Sequence, residues 1–321
     1  MNSKPFSRES LDDLLSLVAT NAAHRPVGQT YLMTSDVAWQ FPGCVPKQNI
    51  RLWSDQSGLS AYAWFQPPDA LVFDVGDNID DYAELLEEIL NWADSRRIAF
   101  PPSYPFHFDF KSMDEWAEAI RNPPAQSGIK ERLLSCSVLA SDHQRRNLLF
   151  DHGFGETQHY EPIFVCNLAN TKAAKPPANF TLRHVAGSEF EERVALHSAA
   201  WAPASGFNTA QYLQVRAMEQ VFDADLDIVA VDNDGRFASY TIAWQDPVSR
   251  IGSFEPFGTH PDYRGTGVSK AVIAEGFCRL AARGMHTARV YTAGFNDQAA
   301  RLYKSCGFEQ IDTSRTLIRK A

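Results

Sequence analysis

The chain has 321 residues, 44% of them hydrophobic and 21% charged, which is the balance of a globular protein with room for two ordinary domains or one large one. Its formal charge of −9 contains no basic stripe, which argues against nucleic acid as a partner, and no run of 18 apolar residues occurs, which argues against a membrane span. The five cysteines (44, 136, 166, 278 and 306) are odd in number and include no C-x-x-C pair. The nine histidines form no H-x-x-x-H pattern, so a disulfide framework and a metal site are both disfavoured and a reducing cytoplasm is expected.

In chain order, the opening "MNSKPFSRESLDDLLSLV" lacks an h-region and a cleavage site, so no signal peptide is expected, and "LDDLLSLVATNA" has the spacing of a first folded helix. "IRLWSDQSGLSAYAWF" reads as two strands around a turn that ends in glycine. "LVFDVGDNIDDYAELLEEIL" follows, with Asp74, Asp77, Asp80 and Asp81 clustered where strand gives way to helix. "NLANTKAAKPPANF" is small, polar and Pro-containing, and reads as a linker. The expected organisation is a first domain over 1–166, a linker over 167–179 and a second domain over 180–321. Net charge is uneven, −8 before residue 180 (15 basic, 23 acidic) and −1 after it (15 basic, 16 acidic). The acidic half would attract a cation or simply be a solvated surface.

In the second half the pattern predicts a strand over "FTLRHV", helices over "SEFEERVALHSAAW" and "TAQYLQVRAME", and a hairpin from Asp227 to Trp244. A strand from Gly252 to Thr259, a helix ending at Gly284, a strand over "ARVYTAG", a helix from Asn296 to Ser305 and a closing strand pair complete it. The halves echo each other. "SDHQRRNLLFDHGFGE" superposes on "FNDQAARLYKSCGFEQ" at an offset that puts Asp142 on Asn296, Leu149 on Tyr303 and Gly153 on Gly307. Each copy has a polar N-cap, a helix, a closing glycine and an aromatic that starts a strand. The chain therefore reads as a tandem duplication of an α/β layered unit.

The stretch "THPDYRGTGVSKAVI" carries two glycines behind an arginine between a strand and a helix. It is no nucleotide-triphosphatase loop, because no "GK" occurs, and it fails G-x-G-x-x-G at Lys270. The main-chain N–H groups of Gly265, Thr266, Gly267, Val268 and Ser269, at a helix N-terminus, have the makings of a pyrophosphate cradle. A tight turn with no ligand is the plainer alternative.

Followed by "NDQAARLYKSCGF", this stretch resembles the GNAT superfamily of acyl-CoA-dependent N-acyltransferases. Arg264, Gly267 and Ser269 fall on the three marked positions of that family's Arg/Gln-x-x-Gly-x-Gly/Ala loop, with serine in place of Gly/Ala. The resemblance covers about the last third of the chain. It implies tandem GNAT-like domains, each a mixed, mostly antiparallel sheet flanked by helices, with acetyl-CoA as acyl donor and a small-molecule amine as acceptor. Phe257, Gly258 and Thr259 would offer main-chain groups to the pantetheine arm on a strand splayed by a bulge, which Gly258 would suit. Asn296 would bond the CoA arm, or simply cap its helix. Glu255 is the candidate general base and Tyr303 the candidate acid for the leaving thiolate, against a structural carboxylate and a packed aromatic. Trp201, Phe207, Asn208 and Tyr212 are the candidate acceptor-pocket residues, whereas His197 reads as a core histidine. The first half, with leucine at the Tyr303 position and an acidic cluster for a loop, reads as a degenerate copy that does not bind CoA. A non-catalytic CoA- or metabolite-binding regulatory module is the alternative function.

Overall fold

A computed structural model describes residues 1–40, 47–77, 79–100, 110–122, 132–171 and 175–320. Cys44 and part of the expected linker lie outside the described residues. The first half runs β1 (Asn2–Pro5), α1 (Leu11–His24), α2 (Thr34–Gln40), β2 (Ile50–Asp55), β3 (Gly58–Gln66), β4 (Ala70–Val75), α3 (Tyr82–Arg97), α4 (Met113–Arg121), β5 (Leu133–Leu139), α5 (His143–Asp151) and β6 (Gly155–Asn167). The second runs β7 (Phe180–His184), α6 (Phe190–Ala200), α7 (Thr209–Arg216), β8 (Asp227–Asp232), β9 (Phe237–Asp246), β10 (Ile251–Thr259), α8 (Val268–Ala282), β11 (Thr287–Tyr291), α9 (Asp297–Ser305) and β12 (Glu309–Lys320).

The strands form one 12-stranded sheet in the order β1-β2-β3-β4-β5-β12-β6-β11-β10-β9-β8-β7. The two halves are interlocked at its centre. The last strand of the chain, β12, lies between β5 and β6 of the first half, while β6 lies against β11 of the second. This corrects the expected closing strand pair: one long strand ends the chain, and its neighbours come from the other half. The physical reason is that a half ending in a single strand leaves its β5 or β11 without a partner on that side, and each half supplies the other's.

Parallel pairing occurs at β4–β5 and β10–β11, and every other pair is antiparallel. Both parallel ladders are short. The β10–β11 ladder stops at Ser253↔Arg289 although β10 continues to Thr259, so the two strands part beyond that point. The partner strand β9 shows why: its register against β10 shifts between Phe254 and Phe257. Glu255 and Pro256 there face the single residue Ile242, and proline has no N–H to give to a ladder.

Helices cover both faces. α3 and α5 close a core that contains Phe65, Phe73, Leu86, Ile89 and Leu149, and α8 and α9 close its counterpart around Phe164, Phe254, Phe277, Tyr303 and Phe308. α2, although part of the first half, packs on β9 and β10 of the second, where the Ser253 hydroxyl bonds the Ser35 hydroxyl at 2.6 Å.

Candidate active site

Where β10 parts from β11, a cleft of about 660 Å³ opens. Glu255, Phe257, Gly258 and Thr259 of β10 form one wall, and Tyr291, Asn296 and Tyr303 form the other. Arg264 and Trp201 stand at its rim, and the first half contributes Met113 and Trp116 of α4 and Glu161 of β6. From Phe257 to Thr259, β10 pairs with β9 on one side and with no strand on the other, so an edge of main-chain groups faces the cleft. The bulge expected at Gly258 lies instead at Glu255-Pro256, and Gly258 sits in regular register with Tyr240. Its lack of a side chain serves close packing: a Cβ there would come within 2.7 Å of the Tyr240 ring and 2.9 Å of Ala200.

The loop after β10 has the backbone its glycines predict. Gly265 and Gly267 have φ of +80° and +87°, left-handed values that side chains resist. Gly267 is the N-cap of α8 and supplies no side-chain cap. Among the described residues, the N–H groups of Gly265, Gly267, Val268 and Ser269 take no acceptor from the protein. The cradle is smaller than expected, because the Thr266 N–H and hydroxyl both turn back to the Tyr263 carbonyl, at 3.4 and 2.7 Å. The Ser269 hydroxyl bonds that of Thr259 at 2.8 Å, fastening the helix start to the strand end, and Arg264 reaches the Ala200 carbonyl at 3.3 Å. Asn296 caps α9, accepting from the Ala299 N–H at 3.1 Å, and lines the cleft as well.

Glu255 is half-buried, and its carboxyl is pushed up to about 8 by withdrawal from water and by the nearby charges of Asp36 and Glu161, with Arg289 opposing. Tyr303 is 6% exposed, with its ring among Phe164, Phe257 and Phe308. Its hydroxyl has no hydrogen-bond partner among the described residues, and burial, then the Glu255 charge, push its pKa up. A carboxyl that ionises near neutrality and a phenol that keeps its proton thus share one cleft.

Of the expected acceptor residues, two meet. Trp201 and Phe207 line a second pocket of about 380 Å³, together with Trp39, His197 and Glu255. Trp201 donates through Nε1 to the Tyr240 hydroxyl at 3.0 Å, and that hydroxyl bonds His197 Nδ1 at 2.6 Å. Burial, with Arg193 nearby, holds His197 down at about 3, so it is the neutral core histidine its setting suggested. Tyr212 does not reach this pocket: it is fully buried, with its hydroxyl bonded to Asp227. Asn208 is spent on a capping box with Gln211 that starts α7.

Sequence reasoning missed Asp36, Trp39, Glu161 and Arg289, which reach the site from α2, β6 and β11. Asp36 is buried and accepts from the Met33 N–H at 2.6 Å and the Tyr291 hydroxyl at 3.2 Å.

The corresponding region of the first half is a pocket of about 360 Å³ lined by its own charged side chains, among them Arg25, Asp77 and Arg145. Asp81 caps α3 by accepting from the Glu84 N–H at 2.9 Å, which sets a carboxylate at that helix start. Arg145, which the duplication aligns with Ala299, is buried 3.5 Å over the Tyr31 ring. It bonds Asp74 at 3.0 Å, the Phe73 carbonyl at 3.2 Å and the Tyr82 hydroxyl at 2.7 Å. The acidic cluster is therefore not a bare repulsive patch. Asp74 is neutralised by Arg145 and by Arg25 at 2.8 Å, and Asp77 pairs with Arg25 at 3.3 Å.

The model of the acetyltransferase (GNAT) family matches residues 193–308. Mycothiol acetyltransferase of Actinosynnema mirum is 30% identical over 118 residues, covering 37% of this chain and 39% of its own. That of an Arthrobacter species is 32% identical over 143 residues, 42% and 44% of the two chains, so this chain spans under half the length of the curated relatives it matches. Among solved structures, a tandem GNAT protein from the clavulanic acid biosynthesis pathway superposes with a TM-score of 0.65 at 11% identity, covering 99% of this chain and 98% of its own. A GCN5-related N-acetyltransferase from Sphaerobacter thermophilus gives 0.61 at 17% identity, covering 99% and 95%. The chain thus carries a domain of the acetyltransferase (GNAT) family within a tandem GNAT-like fold.

Proposed function

We propose that the protein is an N-acetyltransferase that moves an acetyl group from acetyl-CoA to the amine of a small molecule by direct attack, using its second half, 180–321, as the catalytic domain. The observation that carries this reading is the pairing of Glu255 and Tyr303 on one cleft beside a helix start whose N–H groups are free. The name of the curated relatives supports acetyl as the group transferred. In this reading Gly265, Gly267, Val268 and Ser269 hold the cofactor's diphosphate through their N–H groups, with the positive end of α8 behind them. The free edge from Phe257 to Thr259 receives the pantetheine arm as an added strand.

Glu255 takes a proton from the acceptor ammonium, and the freed nitrogen lone pair attacks the thioester carbonyl carbon. The new C–N bond forms, the C–S bond breaks, and Tyr303 protonates the departing sulfur and recovers a proton from the new amide nitrogen. The first half, 1–166, shapes the acceptor side through α2, α4 and β6 and binds no CoA, because Arg145 and Asp81 occupy its equivalent positions; residues 167–179 link the two. Four described cysteines are free, which supports a reducing, cytoplasmic setting. No described helix is long and apolar enough to cross a membrane.

The test is release of free thiol from acetyl-CoA in the presence of a panel of small amines. Amine-dependent release is expected. CoA binding without release on any amine would replace this reading with the non-catalytic binding module.

A further inference from the structure

The cleft at Glu255 continues past Tyr291 and Glu161 toward the first half. Those two residues also line a smaller cavity of about 150 Å³, together with Asp36 and Arg289. Glu255, Glu161 and Asp36 thus stand along one path, and they come from three separate places in the chain: β10, β6 and α2. Asp36 disfavours the charge of both glutamates and Glu161 that of Glu255, while Arg289 opposes at all three, and no lysine or further arginine contributes. Fully ionised, the group carries two excess negative charges.

One further observation points to a ligand. The Tyr303 side chain is more than nine-tenths buried, yet its hydroxyl opens onto the cleft with no partner among the described residues. Arg289, which lines the smaller cavity and opposes the three carboxyl charges, is turned to the Thr30 carbonyl at 3.2 Å. A metal ion does not fit the geometry, since among the described residues no three acidic, histidine or cysteine side chains converge closely enough to hold one.

We propose that the acceptor is a small dication, a diamine, whose reacting nitrogen meets Glu255 and whose second ammonium is held by Glu161 with Asp36 behind it, which makes Glu161 a specificity-determining residue. A monoamine neutralises half of the excess charge, and a diamine neutralises all of it. A zwitterion would bring its carboxylate against three others, with Arg289 alone to receive it. The inference rests on the amine-acetylation reading above.

Three compounds of matched length separate the possibilities: 1,5-diaminopentane, pentylamine and 5-aminopentanoate, assayed with the full chain and acetyl-CoA at one pH. A hydrogen-bonded charge pair corresponds to about ten- to hundredfold in affinity, so kcat/KM for the diamine is expected to exceed that for pentylamine by such a factor, with 5-aminopentanoate last. Glu161→Gln is expected to lower the diamine value at least about tenfold more than the pentylamine value, and Glu161→Asp to restore part of the difference. The proposal is overturned if 5-aminopentanoate equals the diamine, or if Glu161→Gln depresses both amines equally. The wild-type series decides the point even if the variant does not fold. If none of the three releases thiol, the wider amine panel decides the acetylation reading, and calorimetric binding of the same three compounds judges the charge inference separately: preferential diamine binding that Glu161→Gln weakens supports it, and equal binding of diamine and pentylamine sinks it.

Discussion

Glu161→Gln also tests the electrostatics of the proposed base, through the pH dependence of pentylamine acetylation. Glu255 ionises near 8 rather than at the ordinary 4.5 because burial, Asp36 and Glu161, in that order, disfavour its charge. The base works only when ionised, so kcat/KM for the wild type rises with pH and levels off above about 8. Glu161 ranks third among the three causes that raise Glu255, behind burial and Asp36, so its removal shifts the midpoint by the smallest of the three contributions. Its own carboxyl is pushed up to about 7, so it is charged over the upper part of the range in which Glu255 ionises, where its removal is felt.

The sign is fixed: taking away a like charge favours the ionised base, and the midpoint moves down. If it moves from about 8 to about 7, the ionised fraction at pH 7 rises from about a tenth to about a half, so activity there gains about fivefold relative to the high-pH plateau. The assay is kcat/KM for pentylamine from pH 6 to 9.5 on both proteins. Because the same amine is used, its own ionisation cancels in the comparison. A midpoint that stays put or moves upward would refute the reasoning.

Tyr303→Phe keeps the ring contacts with Phe164, Phe257 and Phe308 and removes the proton donor. Turnover is expected to fall about a hundredfold or more with acetyl-CoA affinity nearly unchanged, as steady-state kinetics and calorimetry would report. Gly267→Val puts a branched side chain at a φ of +87°, a strain of about 1–2 kcal/mol, and shields the N–H groups at the start of α8, so CoA affinity by calorimetry is expected to drop at least about tenfold. Unaltered affinity would mean that the diphosphate lies elsewhere. Arg145→Met leaves the buried Asp74 carboxylate with Arg25 as its remaining cation, a loss of about 3 kcal/mol that urea denaturation would read; an unchanged midpoint would show that Arg145 contributes nothing net.

Much of the second half was legible from residues alone because its signals are local. The glycine turn at Gly235, the glycines at 265 and 267 and the glycine that closes α8 at 284 all have positive φ, a requirement of the backbone that one residue type meets. The duplication was equally legible, and its fixed offset already set Arg145 opposite Ala299, although what a buried arginine would do there needed the fold to explain. The position of the bulge was misread because Gly258 and Pro256 are both strand irregularities, and which one breaks the ladder depends on register against β9. Tyr212 and Asn208 were misassigned because an aromatic and an amide near a pocket look the same in sequence whether they face it or turn away to Asp227 and Gln211.

Sequence by itself determined the family resemblance and the glycine turn between β10 and α8, and it singled out Glu255 and Tyr303, since each is marked by its own strand or helix motif. Tertiary structure alone decided which residues of the first half stand near Glu255. Asp36 and Glu161 lie 219 and 94 residues before Glu255, and nothing local marks them. They meet because β6 crosses into the second half's sheet and α2 lies on β10. The charge around Glu255, on which the proposed acceptor rests, is a property of how the halves interlock.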